Sequence, residues 1–269
     1  MLRDGRVRIL HLSGESLAVL SSPFLSIIIP AHNEENRLPR TLEQVFAFLG
    51  EQSYEAEVLV VENGSTDHTL QLARDYAKIH EALRVIREDD RGKGLAIRRG
   101  MFEARGEFRL MCDADLSMPV EEINKFFPSA SIEFDVAIAS REAPGSMRYD
   151  EPRYRHLGGR LINLVIRLLI LPGLQDTQCG FKCFRASAAE DLFRRQTLMG
   201  WSFDIELLFI ARRRGYRVIE IPIDWYYQAE SKVNALSDAL QMIRDIFRIH
   251  ANARKGLYDD DAGRSESAV

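Results

Sequence analysis

The sequence predicts an α/β fold in which helices cover both faces of a mostly parallel sheet. Short β-branched runs alternate with segments of helical periodicity from residue 24 onwards, and turn residues or polar residues end each run. Hydrophobic residues make up 46% and charged residues 28% of the 269 residues, which excludes disordered, collagen-like and coiled-coil proteins. The formal charge of -4 argues against broad binding of nucleic acid.

The predicted strands and helices follow one another in a regular order. The first strand is a β-branched run that Pro30 ends, and the next helix has apolar residues at helical spacing. Asn63 and Gly64 close the second strand, because this pair favours a turn. The strands are predicted at residues 24–30, 57–62, 83–88, 107–115 and 134–140, and the helices at 38–49, 69–80, 95–104 and 157–171.

One α/β domain is predicted between two less ordered ends. Residues 1–22 are predicted to be a flexible leader, 23–233 the domain, 234–256 an amphipathic helix and 257–269 a disordered acidic tail. No signal peptide is predicted, and the longest apolar run, residues 161–171, is shorter than the roughly 20 residues that cross a bilayer. Three cysteines without a disulfide pattern fit a reducing compartment, so we expect a cytoplasmic protein.

Polar residues collect after three of the predicted strands. They follow the first strand at residues 31–34, the second at 62–65 and the fourth at 113–115. Because ligands bind outside the carboxyl ends of the strands in an open α/β sheet, these clusters predict one cleft. Asp113 and Asp115 are two residues apart at a strand end, so their carboxylates are expected to point the same way and to bind Mg²⁺ or Mn²⁺. A turn with two solvated acids is the alternative.

Later segments indicate anion binding beside an apolar surface. Lys93 lies between two glycines before a predicted helix, where a phosphate is favoured, although an ordinary turn fits as well. Six arginines lie between residues 141 and 167, beside an apolar helix that either packs on the sheet or lies on a membrane surface. The same two alternatives hold for the last helix. Its predicted apolar face is Leu236, Leu240, Ile243 and Phe247.

Several motifs together resemble those of a known family. The segments SIIIPAHNEENRL, VVENGSTDHT, RGKGLAIRRG and CDADLS, in this order and spacing, resemble family 2 glycosyltransferases with the nucleotide-sugar-binding GT-A fold. DTQCGFKCF, WSFDIELLFIA and the ESK loop before the last helix are similar to the dolichyl- or polyprenyl-phosphate sugar synthases, and most of all to the dolichyl-phosphate β-glucosyltransferases. The resemblance covers residues 24–250 and implies that residues 23–233 form a GT-A catalytic domain.

The resemblance implies roles for two groups of residues. Asp113 and Asp115 match the metal-binding Asp-x-Asp motif, and Asp115 would be the more direct ligand. The implied nucleotide-binding residues are Pro30, Ala31, Glu34, Glu62, Lys93 and Asp113. Asp176 is assigned to the catalytic centre together with Asp115. The implied contacts to the donor sugar or the acceptor phosphate are Arg141, Arg153, Gln178, Trp201, Asp204, Glu206 and Lys232.

Three positions depart from the family pattern. His32 stands where the family usually has Tyr, Glu62 and Asn63 stand where it often has two Asp, and Ser117 replaces a stronger metal ligand. The change at Glu62 and Asn63 implies a different geometry for the contact to the nucleotide base. The change at Ser117 implies that water completes part of the coordination shell of the metal.

The resemblance implies an inverting, metal-dependent transferase. It would move a hexose, with glucose favoured, from a nucleoside diphosphate sugar to polyprenyl or dolichyl phosphate at a membrane surface. A UDP-hexose is favoured over GDP-mannose as donor, and a membrane protein is a further expected partner. The alternatives are a polyprenyl-phosphate mannose synthase, a transferase with a non-lipid acceptor, a sugar-phosphate nucleotidyltransferase, and a non-catalytic nucleotide-sugar-binding scaffold.

Overall fold

The computed structural model describes residues 22–127, 133–227 and 235–260. Its strands are β1 (Leu25–Ala31), β2 (Ala56–Glu62), β3 (Leu83–Arg87), β4 (Phe108–Met111), β5 (Val136–Ser140), β6 (Met147–Tyr149), β7 (Lys182–Arg185), β8 (Val218–Pro222) and β9 (Asp224–Tyr226). Its helices are α1 (Leu38–Gly50), α2 (Thr69–Ala77), α3 (Lys93–Glu103), α4 (Arg153–Leu169), α5 (Ala186–Arg195), α6 (Phe203–Arg213), α7 (Ala235–Arg254) and the 3₁₀ helix Val120–Phe126.

Seven strands form the central sheet in the order β3-β2-β1-β4-β7-β5-β8. Every neighbouring pair is parallel except the two pairs that β7 makes with β4 and β5. Strands β6 and β9 form a separate parallel pair. The predicted α/β class with a mostly parallel sheet is therefore confirmed.

The strands divide their side chains between two hydrophobic cores, because successive residues of a strand point to opposite faces. Ile28 packs on one face with residues of α3, α5, α6 and α7. Ile27 and Ile29 pack on the other face with residues of α1 and α2. The sheet is thus covered on both sides, and only its edges and strand ends remain for a binding site.

All five strands expected from the sequence are present, but the fourth is shorter than predicted. Strand β4 ends at Met111 because β7 pairs with it only from Phe108 to Met111. The chain then turns, and Leu116 has a positive φ of 44°. Asp113 and Asp115 consequently lie in the turn after the strand, so strand periodicity does not set their directions.

The end of the described chain is also more ordered than predicted. The disordered tail was expected from residue 257, but Tyr258 is fully buried beneath the sheet's helices. Asp259 pairs with Arg213 at 2.7 Å, and Asp260 pairs with Arg214 at 2.7 Å. The prediction is wrong for residues 257–260, because one buried aromatic ring and two ion pairs fix them. The rest of the predicted tail, and the predicted leader up to residue 21, lie outside the described residues.

Helix α7 packs through a different face from the one predicted to be apolar. Met242, Ile246 and Ile249 are buried against the body of the protein. Leu240, Ile243 and Phe247, by contrast, are exposed, with Phe247 at 66%. These three residues of the predicted apolar face are therefore not part of the core, and the side chain of the fourth, Leu236, lies outside the described part of the structure.

No helix within the described ranges is both long and apolar enough to cross a membrane.

Candidate active site

The polar clusters predicted at the strand ends do meet at one edge of the sheet. Residues Ala31 and Glu62 are register partners at the ends of β1 and β2. The Asn63 amide donates to the Ala31 carbonyl at 2.8 Å, and His32 Nδ1 lies 2.8 Å from the Asn63 carbonyl oxygen. Because β4 is the other neighbour of β1, the turn that carries Asp113 opens at the same edge.

The residues expected to wall the nucleotide lie at this edge, although two of their carboxylates are engaged. Ala31 is buried and Pro30 is partly buried at the end of β1. The Glu62 carboxylate is almost fully buried and accepts a hydrogen bond from the Ser65 amide. Glu34 accepts a two-pronged pair from Arg37 at 2.6 and 2.9 Å. These contacts hold the rim of the cleft in shape.

Asn63 joins the end of β2 to the glycine loop that carries Lys93. Its side-chain amide donates to the Asp90 and Glu88 carbonyls, and its oxygen accepts from the Gly92 amide at 2.9 Å. Gly92 has a φ of +152°, and a Cβ there would lie 2.4 Å from the Met199 carbonyl oxygen. Only glycine permits this approach, so the loop is fixed against residues 198–203.

Lys93 and Asp113 form an ion pair in the middle of the cleft. Lys93 Nζ lies 2.6 Å from Asp113 Oδ1, with the two side chains 17% and 30% exposed. The ammonium also lies 5.0 Å from the ring centroid of Trp201, within the range of a cation–π contact. Burial alone would lower the pKa of Lys93. The carboxylates of Asp113 and Asp204 raise that pKa by more than burial lowers it, so the net shift is upwards.

Asp115 lies two residues beyond this pair and is held by its own turn. Its Oδ1 accepts from the Ser117 amide at 3.0 Å. Burial and the neighbouring Asp113 raise the pKa of Asp115, because both disfavour a second negative charge there. A cation between the two carboxylates would remove that cost.

A second buried ion pair, between Arg141 and Asp176, lies after β5. Arg141 Nε and one terminal nitrogen contact the two Asp176 oxygens at 2.6 and 2.9 Å, and the Arg141 amide donates at 3.0 Å. Burial raises the pKa of Asp176, but the Arg141 charge and its hydrogen bonds outweigh this and hold that pKa at about 2. Asp176 is therefore a permanent carboxylate and a poor proton acceptor at neutral pH.

Two residues that sequence reasoning missed support this pair. The Glu220 carboxylate accepts from the Gln175 and Asp176 amides at 2.9 and 3.0 Å, which fixes the turn from β8. The Trp225 ring lies 5.6 Å from the guanidinium carbons of both Arg141 and Arg148. No motif in the sequence marked Glu220, because its role depends on pairing between β5 and β8.

Lys182 is a third basic residue at the site, and it is fully buried. Its Nζ donates to the Cys179 carbonyl at 2.6 Å and lies 3.2 Å from Asp204 Oδ1. Burial raises the pKa of Asp204, and this effect exceeds the opposing influence of Lys182 and Lys93. The sequence signal for this contact is a lysine between Phe181 and Cys183, because a lysine buried among apolar residues needs a partner.

Gly180 brings the segment after Asp176 against the Asp-x-Asp turn. A Cβ at Gly180 would lie 1.8 Å from Asp113 Oδ2. Any other residue would displace that carboxylate, so the glycine leaves the space in which Asp113 sits.

The remaining predicted site residues differ in position. Trp201 is half exposed beside Lys93, and Gln178 Nε2 lies 3.7 Å from Met242 Sδ of α7. Glu206 is not brought to the cleft: it is fully buried and bonded to Thr197, Leu198 and Tyr258. The side chains of Arg153 and Lys232 lie outside the described part of the structure.

The donor set fits a hard divalent cation that shares its shell with a ligand. Over the described ranges, no three His, Cys, Asp or Glu side chains form a metal-binding group. Asp113 and Asp115 supply two carboxylates, and the nearby buried Asp204 Oδ1 is paired with Lys182 Nζ at 3.2 Å. Mg²⁺ is typically held by one or two carboxylates together with substrate phosphates and water.

Comparison with known proteins agrees with this arrangement. Residues 26–193 match glycosyl transferase family 2. The dolichyl-phosphate beta-glucosyltransferase of Drosophila melanogaster is 35% identical over 240 residues, which are 84% of this chain and 74% of that protein. The human enzyme of the same name is 32% identical over 249 residues, which are 87% of this chain and 77% of that protein.

The fold is also similar to a solved structure. Glucosyl-3-phosphoglycerate synthase from Mycobacterium tuberculosis, in complex with UDP, superposes with a TM-score of 0.61 at 17% identity, over 85% of this chain and 80% of that one. Other structures of that synthase hold UDP with Mn²⁺ or Mg²⁺. The matched family covers more than half of the chain and the overall fold agrees, so the chain is a glycosyltransferase that belongs to glycosyl transferase family 2.

Proposed function

We propose that the protein transfers glucose from UDP-glucose to a polyprenyl or dolichyl phosphate, with inversion at the anomeric carbon and with Mg²⁺ or Mn²⁺. The observation that carries the proposal is the meeting of Asp113, Asp115 and Lys93 at the strand ends, with the Arg141–Asp176 pair beside Gly180. The names of the relatives supply the sugar and the lipid.

The charges of the cleft suit the departure of a nucleoside diphosphate. Asp113 and Asp115 would hold the divalent cation, which supplies charge neutralisation of the diphosphate as its bond to the sugar breaks. Lys93 is placed to donate to the same group, since its ammonium already lies beside Asp113. Pre-arranged charges of this kind stabilise the transition state more than the ground state.

The acceptor needs no proton acceptor from the protein. A phosphate monoester has a second pKa of about 6, so it is largely ionised at neutral pH. Asp176 is locked in its charged form by Arg141, so we assign it to orienting that guanidinium rather than to taking a proton. One displacement at the anomeric carbon gives a β-linked product from an α-linked donor, and an α-linked product seen by NMR would contradict this step.

We infer that α4 and α7 bring the site to the membrane that holds the acceptor. The two helices contact each other, and His250 of α7 bonds to the Leu169 carbonyl at 3.1 Å. Leu168 of α4 is 75% exposed and Phe247 of α7 is 66% exposed. Arg244 and Arg248, also exposed, lie beside this apolar surface, as is typical of a helix on an anionic bilayer.

The cytoplasmic face is the side we propose. Free thiols are typical of proteins in reducing compartments, where disulfides are rare. The structure has free, buried thiols at Cys112, Cys179 and Cys183.

A vesicle-binding measurement tests the membrane surface. Phe247→Ser should reduce co-sedimentation with vesicles that contain an anionic lipid, and Ile79→Ser, an exposed apolar residue of the segment before β3, serves as the matched control. Equal binding by both variants and the unchanged protein contradicts the assignment of this surface.

A transfer assay tests the function itself. The purified full chain would be incubated with a polyprenyl phosphate in detergent, a divalent cation, and in turn UDP-glucose, GDP-mannose and a UDP-N-acetylhexosamine. We expect a lipid-linked sugar from UDP-glucose, lost with EDTA and in Asp115→Asn but kept in Asp75→Asn, which changes an exposed carboxylate paired with Lys78. A product from GDP-mannose alone refutes the assigned donor, and transfer only to a soluble acceptor refutes the lipid.

A further inference from the structure

Lys93 occupies the carboxylate that the metal needs. Its ammonium lies 2.6 Å from Asp113 Oδ1, which is hydrogen-bonding distance, so its positive charge opposes the binding of a cation to the same carboxylate. We propose that Lys93 is the resident counter-ion of Asp113, and that a divalent cation binds well only when a nucleoside diphosphate draws the ammonium away. This inference rests on the proposed function only in taking Asp113 and Asp115 as the metal ligands.

The backbone around Lys93 is fixed, so only its side chain is free to exchange partners. The Gly92 amide donates to Asn63 Oδ1 at 2.9 Å, the Leu95 amide donates to the Met199 carbonyl at 3.2 Å, and Gln196 Nε2 donates to the Gly94 carbonyl at 3.0 Å. A Cβ at Gly94 would lie 2.7 Å from the Phe203 Cβ, so the loop is packed too closely to shift as a whole.

The charges around the metal position explain why Lys93 matters to a cation. The carboxylates of Asp113, Asp115 and Asp204 all act on the Lys93 ammonium, and the ammonium of Lys182 lies 3.2 Å from Asp204 Oδ1. Lys182 is committed to Asp204 and the Cys179 carbonyl, and it is fully buried. The formal charge is thus -1 with Lys93 present and -2 without it. Removing the charge of Lys93 should therefore strengthen the binding of a divalent cation in the absence of a nucleotide.

The arrival of a diphosphate reverses this balance. Its oxygens offer the Lys93 ammonium a partner of higher charge than a single carboxylate, and they offer the cation ligands that complete its shell. Metal and nucleotide then raise each other's affinity by the same factor, as linkage requires. The protein would hold neither a bare cation nor a bare nucleotide firmly in the cleft.

Binding of Mn²⁺, measured by electron paramagnetic resonance with and without UDP, tests the inference independently of transfer. We expect Lys93→Gln to bind Mn²⁺ without UDP at least tenfold more tightly than the unchanged protein, which corresponds to about 1.4 kcal/mol. We expect UDP to improve Mn²⁺ binding by a smaller factor in this variant. Lys93→Arg, which keeps the charge, is the matched control and should resemble the unchanged protein. Circular dichroism would confirm folding, and Lys93→Met replaces Lys93→Gln if that variant does not fold.

The outcomes separate the inference from the function on which it rests. Mn²⁺ binding by the neutral variant that is equal to or weaker than that of the unchanged protein overturns the role of Lys93. Absence of Mn²⁺ binding in every protein, with and without UDP, overturns both this role and the assigned metal ligands. If the expected coupling appears while no sugar reaches a lipid, the role of Lys93 stands and the proposed acceptor is wrong.

Discussion

Glu206 is the residue for which the sequence and the structure make opposite predictions. The resemblance places it in the donor-sugar pocket, whereas the structure buries its carboxylate completely. Oε1 accepts from the Thr197 hydroxyl at 2.5 Å and the Tyr258 hydroxyl at 2.6 Å, and Oε2 accepts from the Thr197 and Leu198 amides at 2.9 and 2.8 Å. Glu206 therefore fastens the segment before α6 to the end of the chain.

Glu206→Gln should lower stability and leave catalysis intact. The amide keeps one acceptor oxygen, so two of the four donors lose their partner, at about 1–3 kcal/mol for each buried unsatisfied group. We expect the free energy of unfolding to fall by about 3 kcal/mol. For a chain of this size, about 2–4 °C per kcal/mol applies, so Tm should fall by about 6–12 °C.

Thermal and denaturant unfolding measure the first effect, and the KM for UDP-glucose well below Tm measures the second. Tyr258→Phe removes one of the same hydrogen bonds and should cost about 1–2 kcal/mol, while Glu81→Gln, at an exposed position, should cost nothing measurable. An unchanged Tm with a large rise in KM would place Glu206 in the sugar pocket and refute the structural argument.

Three further predictions follow from the site. The pKa of Asp176 is lowered from 3.8 to about 2, so its charge contributes stability above pH 4 that is lost as the pH falls towards 2. In Asp176→Asn, the free energy of unfolding should therefore fall by about 2 kcal/mol less over that pH window than in the unchanged protein. An acid titration of the variant that is identical to that of the unchanged protein contradicts this. Gly180→Ala should lower the transfer rate by about 100-fold, because the added Cβ displaces the Asp113 carboxylate. Gly50→Ala, which has open space around the added Cβ, should leave the rate unchanged. Equal transfer rates in the two variants refute the need for glycine at position 180. Burial raises the pKa of all three thiols, so a thiol reagent should label the native protein slowly and the unfolded protein at three sites, and rapid native labelling contradicts their burial. These thiols belong to Cys112, Cys179 and Cys183.

The fold was readable where strands are long and apolar. Strands β1 and β2 each have seven residues, and their runs of β-branched residues leave little ambiguity. Strands β6 and β9 have three residues each, which is too short for any periodicity to appear. Strand β7 carries Lys182 in an apolar run, and its antiparallel pairing depends on the two strands beside it. Such elements depend on tertiary contacts more than on local sequence.

The end of the chain shows a second limit of sequence reasoning. An acidic segment is typical of a disordered tail, and its arginine partners, together with the burial of Tyr258, change that expectation. Those partners, Arg213 and Arg214, lie about 46 residues earlier at the end of α6. Pairing over this separation cannot be seen from local composition.

The helical positions of the two acids of α6, in contrast, predict different roles for them, although the resemblance assigns both to the sugar pocket. Residues of a helix advance by about 100° each, so Asp204 and Glu206 point about 200° apart and cannot both face one pocket. Asp204 lies near Lys182 in the cleft, and Glu206 consequently faces the opposite side, towards Tyr258. Helical geometry alone predicts that one of the two acids is structural. The contacts of Lys182 then identify which one, because a buried ammonium requires a carboxylate and Lys182 Nζ lies 3.2 Å from Asp204 Oδ1.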